Sequence, residues 1–256
     1  MLLLLLLPVA LLLPSTLGDD KIIGGREAAN DSHPYMASMN IEIFGLVRKR
    51  CAGFLIREDV VMTAAHCYVR FRDLNKISVV LGAHNVRKPG ANSQKIDVRH
   101  QIVHPKYRRK TKHNDIMLLQ LTQKAKLNDQ VQLIGLPAKG EAVQPGTVCR
   151  VAGWDRTSLW NWKSLNVLLE VDLPVRRDQV CEKAFYTYTA QVQMCAGNSS
   201  RKRSAFRVDS EGALVCNGTA HGILSYGRRR RTFPQVFAKV SSFIPWIESE
   251  LKKLKP

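Results

Sequence analysis

Ser210 lies in the stretch SAFRVDSEGALVC, residues 204–216, with Asp209 before it, Glu211 after it, and an apolar run ending in Cys216. Far upstream, VMTAAHCYV (61–69) sets His66 beside Cys67 at the end of one apolar run, and HNDIMLLQL (113–121) sets Asp115 at the start of another. A serine hydroxyl is a weak nucleophile near neutral pH. It becomes a strong one when an imidazole takes its proton and a carboxylate fixes the tautomer of that imidazole and stabilises the imidazolium. A single histidine is more often structural, and a single aspartate before a strand is usually a turn residue. Taken together, the three supply nucleophile, base and orienting carboxylate, and the order His, Asp, Ser is one of several in which unrelated hydrolases carry this triad.

The elements that must position these residues are short. Runs of Val, Ile, Leu and Phe recur between turn residues: YMASMNIEIF, AGFLIREDVVMTAA, KISVVLG, DIMLLQL, VCRVAGW, LNVLLEVDLPV, GALVCNG, HGILSYG and QVFAKV. No repeat, linker or low-complexity segment interrupts residues 22–256. This pattern predicts an all-β sandwich or barrel. The tail SSFIPWIESELKKLKP differs, because Phe243, Ile244, Ile247, Leu251 and Leu254 fall at helical spacing, with Ser242 as the predicted N-cap.

The chain of 256 residues is 45% hydrophobic, ordinary for a globular core. Its opening MLLLLLLPVALLLPSTLG is shorter than a membrane span and broken by Pro8 and Pro14, so residues 1–18 read as a signal peptide and not as a stable membrane anchor. A secretory route makes the six cysteines disulfide candidates with fifteen conceivable pairings. None has the Cys-x-x-Cys spacing of a zinc site, and neither a metal nor a cofactor is expected. Sequons at Asn30, Asn198 and Asn217 are candidate glycosylation sites. The net charge is +18, and +19 without residues 1–21, which hold one Lys and two Asp. Basic runs at 48–50, 108–113, 201–203 and 228–231, with Lys252, Lys253 and Lys255, suit a polyanionic partner. On a secreted protein with no nucleic-acid-binding signature, that partner is expected to be a sulfated glycosaminoglycan and not a nucleic acid.

IIGG (22–25), TAAHC (63–67), NDIMLL (114–119), VAGW (151–154) and the Asp209-Ser210…Gly212…Leu214-Val215-Cys216 segment together give a specific match. Over its whole mature length the sequence resembles the chymotrypsin-like serine proteases. SHPYMA (32–37), LGAHN (81–85) and SSF.PWI (241–247) are similar to the granule-protease subgroup of cathepsin G, mast-cell chymases and granzymes. The resemblance implies two antiparallel six-stranded β-barrels, roughly 22–130 and 131–256, ending in an α-helix, with the triad His66, Asp115 and Ser210 in the cleft between them. It implies the bridges Cys51–Cys67, Cys149–Cys216 and Cys181–Cys195. It also makes residues 19–21 an activation pro-segment, with the ammonium of Ile22 inserting beside Asp209 after cleavage at Lys21.

Where that family reads Gly-Asp-Ser-Gly-Gly-Pro, this chain reads Val208-Asp209-Ser210-Glu211-Gly212-Ala213. Ala52 and Asp155 replace two more family glycines. The backbone N–H groups of Val208 and Ser210 are the implied oxyanion donors, and a β-branched residue at the first would be strained by about 1–3 kcal/mol wherever a glycine-specific conformation is needed. The resemblance also implies a substrate pocket lined by Ser204, Ser225, Gly227 and Gln235, and the neutral Ser204 and Gln235 at its floor favour large apolar or aromatic side chains. The segment Ser225-Tyr226-Gly227 is the implied edge strand for substrate backbone. Two functions follow: a secreted or granule-stored serine endopeptidase acting on proteins or peptides, or a catalytically impaired homologue acting as a cationic heparin-binding or antimicrobial protein.

Overall fold

The computed structural model describes residues 26–69, 75–154, 166–197, 212–228 and 231–254. A short strand β1 (Arg26–Glu27) is followed by β2 (Met36–Ile43), β3 (Leu46–Arg57), β4 (Val60–Thr63), β5 (Asn75–Leu81), β6 (Gln94–Val103) and β7 (Met117–Leu121). Strands β2 to β7 close into an antiparallel barrel in the order β2-β3-β4-β7-β6-β5. Then come β8 (Val148–Gly153), β9 (Leu169–Arg176), helix α1 (Asp178–Glu182), β10 (Gln193–Ala196), β11 (Ala213–Cys216), β12 (Thr219–Arg228), β13 (Arg231–Lys239) and helix α2 (Ile244–Lys253). The order β9-β10-β13-β12-β11-β8, with β8 pairing back to β9, closes a second six-stranded barrel. Strand β1 is added at the edge of β9.

Two of the apolar runs do not alternate with polar residues, and the packing shows why. Val61, Met117 and Leu119 point into the first barrel beside Met39, Ile41, Leu55, Ile77 and Val79. Val60, Met62, Ile116 and Leu118 point the other way, into a cluster shared with Ala213, Ala220, Ile223 and Ala238 of the second barrel and Ile244 and Ile247 of α2. Strands β4 and β7 are therefore buried on both faces, and a strand with no solvent face has no reason to carry polar residues at alternate positions. The two barrels meet through that shared core, and the loops leading into β7 and out of β4 emerge at its rim.

Cys51 is bonded to Cys67, Cys149 to Cys216 and Cys181 to Cys195. The first joins β3 to the turn carrying His66. A crosslink spanning 16 residues removes about 3 kcal/mol of chain entropy from the unfolded state. Helix α2 differs from expectation at its start: Phe243 is the N-cap, no side chain caps the helix, and Ser242 Oγ donates instead to Gln191 O at 2.7 Å. A tertiary acceptor took the hydroxyl that local capping would have used. Ile244 and Ile247 face the shared core, and His104 packs edge-on against Phe243 and Trp246.

The segment entering the first barrel is held to the second by a buried carboxylate. Glu170 on β9 accepts from Arg26 Nε at 2.6 Å and from His33 Nε2 at 2.6 Å, while Arg150 Nη1 lies 3.9 Å away. Burial pushes the Glu170 carboxyl up, but the hydrogen bonds from His33 and Arg26 and the charge of Arg150 outweigh it and hold the carboxyl below its usual range. Tyr35 donates to His33 Nδ1 at 2.8 Å, and its own phenol is pushed up by burial and by Glu170, so it remains a donor. A depressed carboxyl contributes stability that is complete above its unfolded value, near 4.3, and is lost as pH falls through the folded value. Glu170→Gln is therefore expected to lower the urea midpoint near neutral pH and to flatten its fall below about pH 4.5, which urea titrations at stepped pH would read.

Candidate active site

His66 sits in a single 3-10 turn, Ala65–Cys67, directly after β4, and Asp115 lies two residues before β7. Since β4 and β7 are neighbours, with Thr63 paired to Met117, the two residues leave adjacent strands at the same end of the barrel. The backbone N–H of His66 donates to Asp115 Oδ1 at 2.8 Å, and His66 Nδ1 lies 2.8 Å from Asp115 Oδ2. A carboxylate can only accept, so the proton is on Nδ1, and in the neutral ring the lone pair is on Nε2. That is the tautomer a general base requires. The Asp115 side chain is fully buried, while 18% of the His66 side chain is exposed.

The second barrel supplies the third donor to Asp115. Ser225 Oγ donates to Asp115 Oδ2 at 2.5 Å. In the β12–β13 ladder Leu224 pairs with Phe237 and Tyr226 with Val236, so Ser225 is the extra residue of a bulge, the kind of irregularity that re-aims a side chain. Its hydroxyl is thereby directed to Asp115. Beyond Ile223, strand β12 leaves β11, and 226–227 pairs with β13 on its other side. Gly227 is opposite Gln235, whose Cγ lies 3.5 Å from where a Cβ at Gly227 would stand. Gln235 itself is buried.

The loop before Asp115 contains a residue whose role the sequence did not disclose. His113 Nε2 lies 2.7 Å from Thr187 O and 2.9 Å from Thr189 Oγ1, both in the second barrel, and Gln193 Nε2 donates to Lys112 O at 3.3 Å. The basic run 108–113 is thus also a clasp, with Lys112 and Asn114 in left-handed backbone conformations and Arg108, Arg109 and Lys110 exposed. Phe185 meets Tyr226 edge-on at 5.2 Å, and Tyr226 OH lies 3.4 Å from Gln193 Oε1. Burial is the main cause that pushes the Tyr226 phenol up. Asn30 and Asn217 are exposed. Ile22, Asn198, Ser204, Val208, Asp209, Ser210 and Glu211 lie outside the described residues.

A histidine and a buried aspartate meeting where two six-stranded antiparallel barrels join is the framework of a chymotrypsin-like serine endopeptidase. The family model described as "Trypsin" matches residues 22–247. The chain is 44% identical to cathepsin G of Homo sapiens, with 98% of this chain and 95% of that protein aligned. It is 47% identical to duodenase-1 of Bos taurus (98% and 97%) and 46% identical to mast cell protease 3 of Ovis aries (98% and 97%). A solved structure described as "Structure of GrC" superposes with a TM-score of 0.80 at 39% identity, covering 90% of this chain and 99% of that one. This chain belongs to the trypsin family of serine endopeptidases.

Two substitutions test the described half of the site. Asp115→Asn keeps the shape but puts the imidazole proton on the wrong nitrogen, and kcat is expected to fall about 10⁴-fold. Ser225→Ala removes one hydrogen bond to a carboxylate and is expected to lower kcat about tenfold, measured on the same peptide substrate.

Proposed function

We propose that this chain is a secreted or granule-stored endopeptidase in which Ser210 attacks the scissile carbonyl, His66 takes its proton and Asp115 holds the imidazole. The observation that carries the reading is the pairing of His66 Nδ1 with Asp115 at the junction of the barrels. The attacking hydroxyl loses its proton to His66 as the Ser210 oxygen bonds to the carbonyl carbon. The proton is then given to the leaving amine, and water releases the acyl group by the same steps. The backbone N–H groups of Val208 and Ser210 receive the oxyanion, and the Ile22 ammonium pairs with Asp209 after cleavage at Lys21. The neutral Ser204 and Gln235 suit a large apolar or aromatic side chain before the cut bond. The relatives named cathepsin G and mast cell protease support this reading, as do residues 226 and 227 of β12, which among the described residues pair in the sheet with β13 alone.

Gly212 bears on how fast such an enzyme can be. A Cβ at this position would stand 2.1 Å from Ala152 O, so only glycine lets the chain two residues after Ser210 lie against β8. The downstream anchor of the nucleophile segment is therefore kept, while Val208 and Glu211 alter the positions on either side of Asp209-Ser210. A misdirected amide at 208 would slow turnover about 10²–10³-fold without removing the triad. The charge of +18 supports retention on sulfated glycosaminoglycan.

The test is to cleave the proform after Lys21 and expose it to a fluorophosphonate. The parent is expected to label, Ser210→Ala not to label, and Val208→Gly/Glu211→Gly to label about 10²–10³ times faster than the parent. A folded parent that does not label, yet elutes from immobilised heparin only at high salt, would instead fit the impaired cationic binding protein. Weak heparin retention at low salt would remove the glycosaminoglycan from either reading.

A further inference from the structure

The hairpin between β2 and β3 has a tip that the rest of the fold does not explain. Ile43 pairs with Leu46, leaving Phe44-Gly45 as a two-residue loop with φ of 54° and 74°. That is the type I′ geometry, for which Asn-Gly is the least strained sequence. A large aromatic residue in the left-handed region is unfavourable, and here it gains no burial in return. Phe44 is 71% exposed, Leu46 57% and Val47 43%, and none of them joins an apolar cluster of the described residues.

The sequence around the tip is cationic: Arg48, Lys49 and Arg50 follow it directly. The nearby carboxylates are already answered: Glu42 by Lys95 at 3.0 Å and Asp97 by Lys76 at 3.0 Å. Arg50 is crowded, its guanidinium lowered first by burial and then by the charge of Arg87. An apolar point on a basic base, in a chain of net charge +18, complements a surface that is anionic outside and apolar beneath. A sulfated glycan offers only the first of these. Its recognition would use the arginines and lysines and leave Phe44 and Leu46 without a purpose.

We propose that the Phe44–Val47 hairpin docks this protein reversibly on anionic phospholipid bilayers, with Phe44 and Leu46 entering the interfacial layer and the chain's positive charge drawing it to the head groups. Two or three inserted side chains hold a protein on a membrane only when charge attraction adds to them, so the contact depends on both. Past its basic run, β3 reaches Cys51, which is bonded to Cys67 beside His66, so a docked hairpin would hold the His66 turn about 20 Å of strand from the membrane surface. Proteins exposed at that surface become the accessible substrates.

The full processed chain is sedimented at physiological salt with phosphatidylcholine vesicles containing or lacking phosphatidylserine. The parent is expected to partition onto the phosphatidylserine vesicles, and Phe44→Asn/Leu46→Ser to lose at least about tenfold of that partition. Because Asn suits the turn, the thermal midpoint of the variant is expected to hold or rise, and its salt of elution from heparin to stay that of the parent. Phe44→Trp is expected to shift its emission to the blue when vesicles are added. The proposal is overturned by a parent that does not partition, by equal partition of parent and double variant, or by Trp emission that vesicles leave unmoved. A matching loss of heparin retention in the double variant also overturns it, since the tip would then be a glycan contact.

Discussion

Asp115 places a carboxylate where no water reaches, and the structure around it is arranged to make that tolerable. A buried carboxylate without donors is strongly destabilising. Its two oxygens receive the His66 backbone N–H, the His66 ring N–H and the Ser225 hydroxyl. Two of these come from the turn after β4 and one from a bulge in β12, so the carboxylate is satisfied only when the two barrels are docked in this register. The same contact that solves the burial problem fixes the imidazole tautomer. Packing of the barrels and preparation of the base are one requirement, and the shared core of Met62, Ile116, Leu118, Ile223 and Ala238 is what enforces it.

That the fold is all-β was legible in the chain because the apolar runs are short and separated by turns; closure into two six-stranded barrels came from the family resemblance, since the runs at 60–64 and 116–119, buried on both faces, do not by themselves tell a sandwich from a barrel. His66 and Asp115 were legible because each ends or begins such a run. Ser225 was read as part of a substrate edge, and its bond to Asp115 was not foreseen, because a bulge depends on the pairing of two strands and leaves no mark in one. His113 was hidden for a related reason. In RRKTKHND it reads as one more basic residue, and only the position of Thr187 and Thr189 across the cleft makes it a clasp. Ser242 shows the converse error, a good local cap taken over by the Gln191 carbonyl.

Glycine marks where the backbone of this fold has no freedom, and the chain keeps some of these positions and gives up others. At Gly53 a Cβ would come 2.5 Å from Met62 O, and at Gly212 2.1 Å from Ala152 O, so both strands are pressed against a neighbour. Ala52, one residue before Gly53, fits with its side chain wholly buried beside Met36, Tyr35, Ala152 and Trp154. Loss of a family glycine there was absorbed by packing. For residue 208, proposed as an oxyanion donor, the requirement would be different in kind, because such a donor depends on the direction of its N–H and not only on room for a side chain.

Charge and rigidity are distributed in opposite senses over the molecule. The paired and buried charges, Glu170 with Arg26 and His33 and Asp115 with His66, bridge elements distant in sequence and fix geometry. The exposed ones, among them Arg108 to Lys110 before Asp115 and Lys252 on α2, can answer to salt and to a partner. Exposed cations screened by solvent add little to stability. An excess of +18 therefore costs the fold little where it sits on loops and helix ends, and it confers long-range attraction to anionic surfaces that the catalytic pair alone does not provide.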